Sequence, residues 1–540
     1  MSAQDNLQTL RDAQSPFSVF AAINNPARIG LSDLTKEVRV VTATTLGTVS
    51  INPTLTAPSG IVVLANLTTL TGTLTIAPPT YELYLPKLTA LTQNLAVTAN
   101  TVLTTCKVPL LASIAATKTL AVNNSSALAT VDFGSLTTLD GGLQITNSPA
   151  LQAAAFPALQ TIGAAGVLYL YNLTNAALTS LSFPLLTSGG TLSAQLLSKV
   201  TSISLPRLAT AKTLRLGSNA ALTSVNLPSL TAVTGDLESN NNGAMTAFSA
   251  PELTSVEGNL QLEGCSALTS VSCPKLVTAP SVNIAWNPSL TALSLPKLNP
   301  IKYLNLSGCT QLTSLSLPEA TSVTGDFNLS GTGLTSLALP GITTFSGGVS
   351  LALGDRMTSV SFANLTSSSA GSYLVGYSMS LLTSLSFPQL TGPMGIQLSL
   401  YGLATALTVN LGNVTSIDAT ISLGSSGVHL TLDAPACQSI NNSLNFDYAG
   451  KVTLNLPPGF ALHGYLYLSY SNRTVEELIE LIDYLSQRID GGSGAIYLTE
   501  GCAGWWWGGN NPFEHPGLSN ALNTLASNFS GYIDYGYPPP

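Results

Sequence analysis

Charge is what this sequence has least of. Its 540 residues include 18 Lys+Arg and 26 Asp+Glu, so 8% of the chain is charged, where about a quarter is usual in a globular protein. The net charge of −8 is spread without basic clusters, which argues against a nucleic-acid backbone or an anionic membrane as the partner. Long apolar runs are missing too: Thr, Ser, Asn or Gly interrupts every candidate before the roughly 18 residues a membrane-spanning helix needs. The six cysteines (Cys106, Cys265, Cys273, Cys309, Cys437, Cys502) form no CxxC and no Cys/His cluster, so neither a disulfide framework nor a zinc site is expected. The N-terminal Met1-Ser-Ala-Gln-Asp lacks a basic segment followed by an apolar one, so no Sec-type signal peptide is read, and no C-terminal anchor is read.

Catalytic constellations are equally sparse. His429, His463 and His515 stand in no Ser/His/Asp, HExxH or metal-ligand spacing. Glu514 and His515, with Cys502 in the same stretch, could form a site, but the reading preferred is polar loop residues. Asp236/Glu238 and Glu257/Glu263 fall on successive repeats, but carboxylates are too few to nominate a glycosidase pair. No phosphate loop or dinucleotide fingerprint occurs, so no catalytic residue, metal or cofactor is expected. Sequons at Asn66, Asn305 and Asn472 arise from the repeat itself.

What is present is hydrophobicity in a strict period. With 45% hydrophobic residues and a mean hydropathy of +0.34, the chain has enough apolar surface to fold. The segments LTSLSFPLLTSGGTLSAQ at Leu178, VTSISLPRLATAKTLRLGSN at Val200, LTSVNLPSLTAVTGDLESNN at Leu222, LTSVSCPKLVTAPSVNIAWN at Leu268 and LTALSLPKLNPIKYLNLSGC at Leu290 are copies of one unit. Its prolines, Pro184, Pro206, Pro228, Pro251, Pro274, Pro296, Pro318 and Pro340, recur every 22 or 23 residues. Weaker copies extend the array to roughly 18 coils between residues 38 and 471. Each coil alternates apolar and polar residues twice, in LTSLSLP and in GxLxL, the signature of short half-buried strands. One coil cannot bury its leucines; parallel stacking at about 4.8 Å makes them a continuous core. Proline at a strand end suits a corner, having no N–H to donate.

The unit L-x-x-L-x-L-P-x-L-x-x-[VI]-x-G-x-L-x-[LI]-x-x-[NC] resembles the leucine-rich-repeat family, in the receptor L-domain-like and bacterial surface branches whose coils are almost all β. The resemblance covers about four fifths of the chain. It implies a buried ladder at the Asn/Cys slot, read at Asn219, Asn241, Cys265, Asn287 and Cys309, which makes Cys265 and Cys309 structural rather than reactive. The implied fold is an all-β-dominated solenoid of parallel strands with a small α/β C-terminal cap.

The ends differ. Residues 1–37 lack the repeat and read as a cap or an attachment segment. From residue 472 the period changes: Thr474 to Glu477 form a capping box, and Val475, Leu478, Ile479, Ile482, Leu485 and Ile489 have helical spacing. A strand from Ala495 to Glu500, a helix from Pro516 to Ser527 and a strand from Gly531 to Tyr537 follow. This ending resembles modules that close such arrays in bacteriophage structural proteins and some bacterial surface proteins. Aromatics crowd into it, among them Trp505, Trp506, Trp507, Tyr535 and Tyr537. The tryptophans are either a stacking platform or a plug over the last coil.

The two strands of a coil present different surfaces. LTSLSLP turns out small residues, such as Ser202/Ser204 and Ser314/Ser316, a face suited to self-association. GxLxL turns out Thr213/Arg215, Asp236/Glu238, Asn259/Gln261, Ser281/Asn283, Tyr303/Asn305 and Asp326/Asn328. Variation on a regular scaffold serves recognition, so Arg215, Glu238, Gln261, Tyr303 and Asn305 join the C-terminal aromatics as candidate binding residues. The function expected is a non-enzymatic virion-associated fibre or adhesin that recognises a surface glycan or protein receptor and assembles with other virion or surface proteins. The competing expectations are a bacterial cell-surface adhesin, a carbohydrate-active enzyme and an ice-binding solenoid.

Overall fold

The computed structural model describes residues 28–29, 37–40, 45–46, 49–51, 60–76, 80–98, 100–173, 177–346, 350–425, 427–469, 473–498 and 515–534. The chain divides into two compact units, Met1–Leu276 and Val277–Pro540. Both are parallel β-solenoids, and together they hold about 17 turns, close to the repeat count in the sequence.

In the first unit the LTSLSLP alternation becomes the three-residue strands Ser180–Ser182, Ser202–Ser204 and Ser224–Asn226, paired parallel and in register. Leu181, Ile203 and Val225 are buried while the flanking residues face out, as period-2 geometry requires. The GxLxL strands form the main sheet, in which Leu192, Leu214, Leu237 and Leu260 stack coil upon coil. The residue before each corner points inward: Phe133, Phe156 and Phe183 stack with ring centroids 6.4 and 5.4 Å apart. Exposed threonines tie successive coils together, as where Thr223 Oγ1 donates to the Thr201 carbonyl 22 residues earlier at 2.9 Å. At the N-terminal side Arg28–Ile29 runs antiparallel to Glu37–Val40, the first strand of the parallel stack. That reversal places an antiparallel strand on the edge of the parallel stack.

The second unit repeats the scheme. Ser336–Ala338, Ser359–Ser361, Ser384–Ser386, Leu407–Asn410, Leu430–Asp433 and Val452–Asn455 make one parallel face, and Phe362 stacks on Phe387 at 5.7 Å beneath its corner. The C-terminal elements then alter the coil without leaving it. Helix α1, Val475–Ser486, and helix α2, Pro516–Asn528, alternate with strands Ala495–Tyr497 and Tyr532–Asp534. Those strands pair parallel with Tyr465–Tyr467 and with each other. The α/β ending expected from sequence is there, and its strands continue the main sheet, with helices in place of the small-residue strand. Both helices bury an apolar stripe: Leu478, Leu481, Ile482 and Leu485 on α1, and Leu518, Ala521, Leu522 and Leu525 on α2. His515 is not a plain loop residue: it is the N-cap of α2, and its Nδ1 accepts the Leu518 N–H at 3.3 Å.

One register expectation is corrected. The buried slot is Asn242, not Asn241. Asn242 is fully buried, its Nδ2 donating to the carbonyls of Leu216 and Ser239 at 3.0 and 2.9 Å, and its Oδ1 accepting the Asn219 N–H at 2.8 Å. Asn241 is exposed, with φ of 55°, the left-handed corner just before the slot.

Candidate recognition surface on the main sheet

The slot fixes how the main sheet is presented, because it anchors the turn that ends each GxLxL strand. Asn219 donates from Nδ2 to the Ala194 and Leu216 carbonyls at 2.8 and 2.9 Å. Cys265 takes the same role through its thiol, 3.3 Å from the Ser239 carbonyl. In the second unit Asn287 donates to the Ile284 carbonyl at 2.6 Å, Cys309 Sγ lies 3.2 Å from that carbonyl, and Thr332 donates to the Leu329 carbonyl at 2.8 Å. Burial pushes the Cys265 and Cys309 thiols up to about 11, so both stay protonated donors rather than nucleophiles. These side chains meet buried turn carbonyls that no strand pairing reaches. A leucine core, stacked parallel coils and a buried polar ladder under one corner define the architecture. The chain is a leucine-rich-repeat-like β-solenoid.

No protein-family model matches the chain, and no curated protein does. Among solved structures, a leucine-rich repeat protein from Bacteroides ovatus aligns over 83% of this chain and 94% of its own at 12% identity, with a TM-score of 0.23. So loose an overlap carries no argument about role, and the architecture rests on the coil geometry above.

In the first unit of the solenoid, in-register pairing sets Tyr169, Ser193, Arg215, Glu238 and Gln261 side by side on five successive coils. Three of these, Arg215, Glu238 and Gln261, were expected from sequence. Arg215 Nε lies 3.1 Å from Glu238 Oε1 and its NH2 nitrogen 3.3 Å from Asp236 Oδ2. The Glu238 bond, more than anything else, raises the guanidinium above its ordinary value. Asp236 Oδ1 also accepts the backbone and side-chain N–H groups of Asn259 at 3.0 and 3.1 Å. Both carboxylates are thus committed to neighbouring coils, unlike a glycosidase pair, in which the two groups face each other across an open cleft. Beside them Tyr169 and Tyr171 stack at 5.3 Å and 9°, and burial raises the Tyr169 hydroxyl.

In the second unit, Asn283, Asn305 and Asn328 occupy one column. Each amide oxygen accepts the N–H two residues on, at 3.2, 3.1 and 3.0 Å, and Asn305 Nδ2 donates to the Tyr303 hydroxyl at 3.3 Å. The structure therefore joins Tyr303 to Asn305. Further along, Tyr377 stacks on Tyr401 at 5.8 Å, and Tyr465, Tyr467 and Tyr497 form a cluster in which the last two lie 4.7 Å apart and nearly parallel. Trp505, Trp506, Trp507, Tyr535 and Tyr537 lie outside the described residues.

Sequence reasoning missed Tyr169, Tyr171, Tyr377 and Tyr401 as surface candidates. The signal was available, since VLYLYN, SYLVGYS and IQLSLYG alternate and put these residues in the outward phase. Trp286 was missed for a different reason: it follows its strand at the corner, where alternation assigns no face.

Proposed function

We propose that this solenoid is a non-enzymatic binding scaffold, a virion-associated fibre or adhesin that recognises a surface glycan or protein receptor with the outward face of its main sheet. The observation that carries the reading is the contrast between faces. The LTSLSLP face repeats Ser, Thr and Ala, whereas the main sheet varies in register between aromatic, amide, guanidinium and carboxylate side chains. A scaffold that holds backbone positions fixed while side chains vary suits recognition. The engagement of Asp236 and Glu238 by Arg215 favours binding over hydrolysis at the charged part of that face.

Two experiments test the proposal. Labelled protein is screened against host cells and a glycan panel, alongside an Arg215→Ala/Gln261→Ala variant and a Tyr303→Ala/Asn305→Ala variant; at least one pair should weaken binding without unfolding the chain. Unchanged binding in both would remove the main sheet from recognition, and polysaccharide turnover abolished by Glu238→Gln would make the protein an enzyme. Mass spectrometry of purified particles and cell fractions tests the location: recovery only with soluble cytosolic protein contradicts a fibre or adhesin.

A further inference from the structure

Trp286 combines three features that packing alone does not account for. Its backbone is left-handed, with φ of 58°, a conformation that is costly for a bulky residue. The corner is left-handed in coil after coil, at Leu196, Ser218, Asn241 and Tyr448 as well, but the two coils that follow Trp286 fill it with glycine, Gly308 and Gly331, at φ of 74° and 65°. Its side chain is 68% exposed, so little apolar burial offsets that cost.

The ring is nevertheless seated. Trp286 N–H donates to the Ser307 carbonyl at 2.7 Å, which ties it to the following coil. A Cβ built on Gly308 would lie 2.9, 3.3 and 3.4 Å from indole Cε3, Cζ3 and Cδ2. Three ring atoms at nearly one distance mean that the indole lies flat on the Gly308 backbone, its other face open to water. The unit uses the same device again: Tyr401, 41% exposed, has Cδ1 2.9 Å from where a Gly424 Cβ would be. A large exposed ring seated over a glycine of the next coil, at a corner that costs a bulky residue more than glycine, points to function.

The surroundings define the ligand. The strand positions beside Trp286 turn out Ser281, Asn283, Tyr303, Asn305, Asp326 and Asn328, of which Asp326 alone is charged. Such a surface complements an uncharged, hydroxyl-rich molecule. An anionic polymer would find no matching row of cations there. The face of a pyranose offers C–H groups to a π-surface, while its hydroxyls can pair with amides.

We infer that Trp286, pinned on Gly308, is the stacking platform for a ring of a neutral glycan, with Asn283, Asn305 and Asn328 as its hydrogen-bonding partners. This rests on the reading of the main sheet as a recognition surface and names the ligand class for this part of it.

Affinity electrophoresis of the full chain through gels containing yeast mannan, a soluble β-glucan, galactomannan or alginate tests the assignment, with Trp286→Gly and Trp286→Ala as variants and thermal unfolding measured in parallel. Retardation of the wild type by a neutral polymer is expected. Trp286→Gly should weaken it about tenfold, the equivalent of ~1.4 kcal/mol, while its unfolding midpoint stays level or rises, because glycine adopts left-handed φ without strain. Unchanged retardation of Trp286→Gly, or a lowered midpoint that marks the indole as a packing residue, overturns the inference. A wild type that binds only alginate or a protein receptor overturns the neutral-glycan assignment and leaves the recognition surface standing. A wild type that binds neither polymer nor cell surface defeats both.

Discussion

Asn242 shows what one residue does in a repeat. Its amide joins the Leu216 carbonyl of the preceding coil, the Ser239 carbonyl and hydroxyl of its own, and the N–H of Asn219, so a single side chain satisfies groups on two turns that strand pairing leaves over. Replacement by alanine should therefore cost about 3 kcal/mol, since more than one buried polar group loses its partner. Asn241→Gly, one residue earlier at a left-handed corner, should change stability by less than about 1 kcal/mol. Urea unfolding of the two variants separates them; equal effects would show that the ladder register is wrong. The slot was legible in spacing, because 242 lies 23 residues from both Asn219 and Cys265. It was hidden by composition, since Asn240, Asn241 and Asn242 are consecutive and residue type alone does not choose among them. Burial made the choice: the ladder needs the inward-facing member of the three.

At the scale of elements, the repeats were readable because period-2 alternation and a proline every 22 or 23 residues state the same register twice. The helical ending was readable too, from the capping box and the apolar spacing of α1. What the sequence could not convey was that the strands after α1 and α2 would rejoin the main sheet. Parallel pairing of Tyr465–Tyr467 with Ala495–Tyr497 is a non-local choice, made because the open edge of the last all-β coil still needs its ladder completed. In-register pairing of these strands sets Tyr497 against Tyr467. Thr474 sits at the entry to this arrangement: its Oγ1 accepts the Glu477 N–H at 3.2 Å and Glu477 Oε2 accepts the Thr474 N–H at 2.9 Å. Thr474→Ala should cost about 1 kcal/mol, and the loss should appear locally. Amide exchange in α1 should accelerate by up to about tenfold, while Ser359–Ser361 and Ser384–Ser386, several coils away, keep their protection. Uniform acceleration through the second unit would mean that the ending and the coils open as one body.

Across the molecule, the scarcity of charge follows from the repeat. A charged residue copied into an outward strand position recurs about 4.8 Å away in the next coil, where like charges repel. Ion pairs between coils avoid this by placing opposite signs on neighbouring turns, Arg215 with Glu238 and Asp236, and Lys275 with Glu252 at 2.6 Å, while Lys451 pairs with Glu480 of α1 at 3.5 Å. Elsewhere Ser, Thr and Asn take the outward positions at no electrostatic cost, leaving aromatic and amide chemistry to the main sheet. Ser202 and Ser224, in register on the small-residue face, allow a direct test by double-mutant cycle. Ser202→Lys with Ser224→Lys should be less stable than the two single changes predict by about 0.5 kcal/mol, and Ser202→Lys with Ser224→Glu more stable by a similar amount. Both couplings should shrink as salt rises and the Debye length falls below about 10 Å. A Lys–Lys coupling of zero at low salt would mean that the solenoid tolerates charge, and that its neutrality comes from what its surface must bind rather than from how its coils stack.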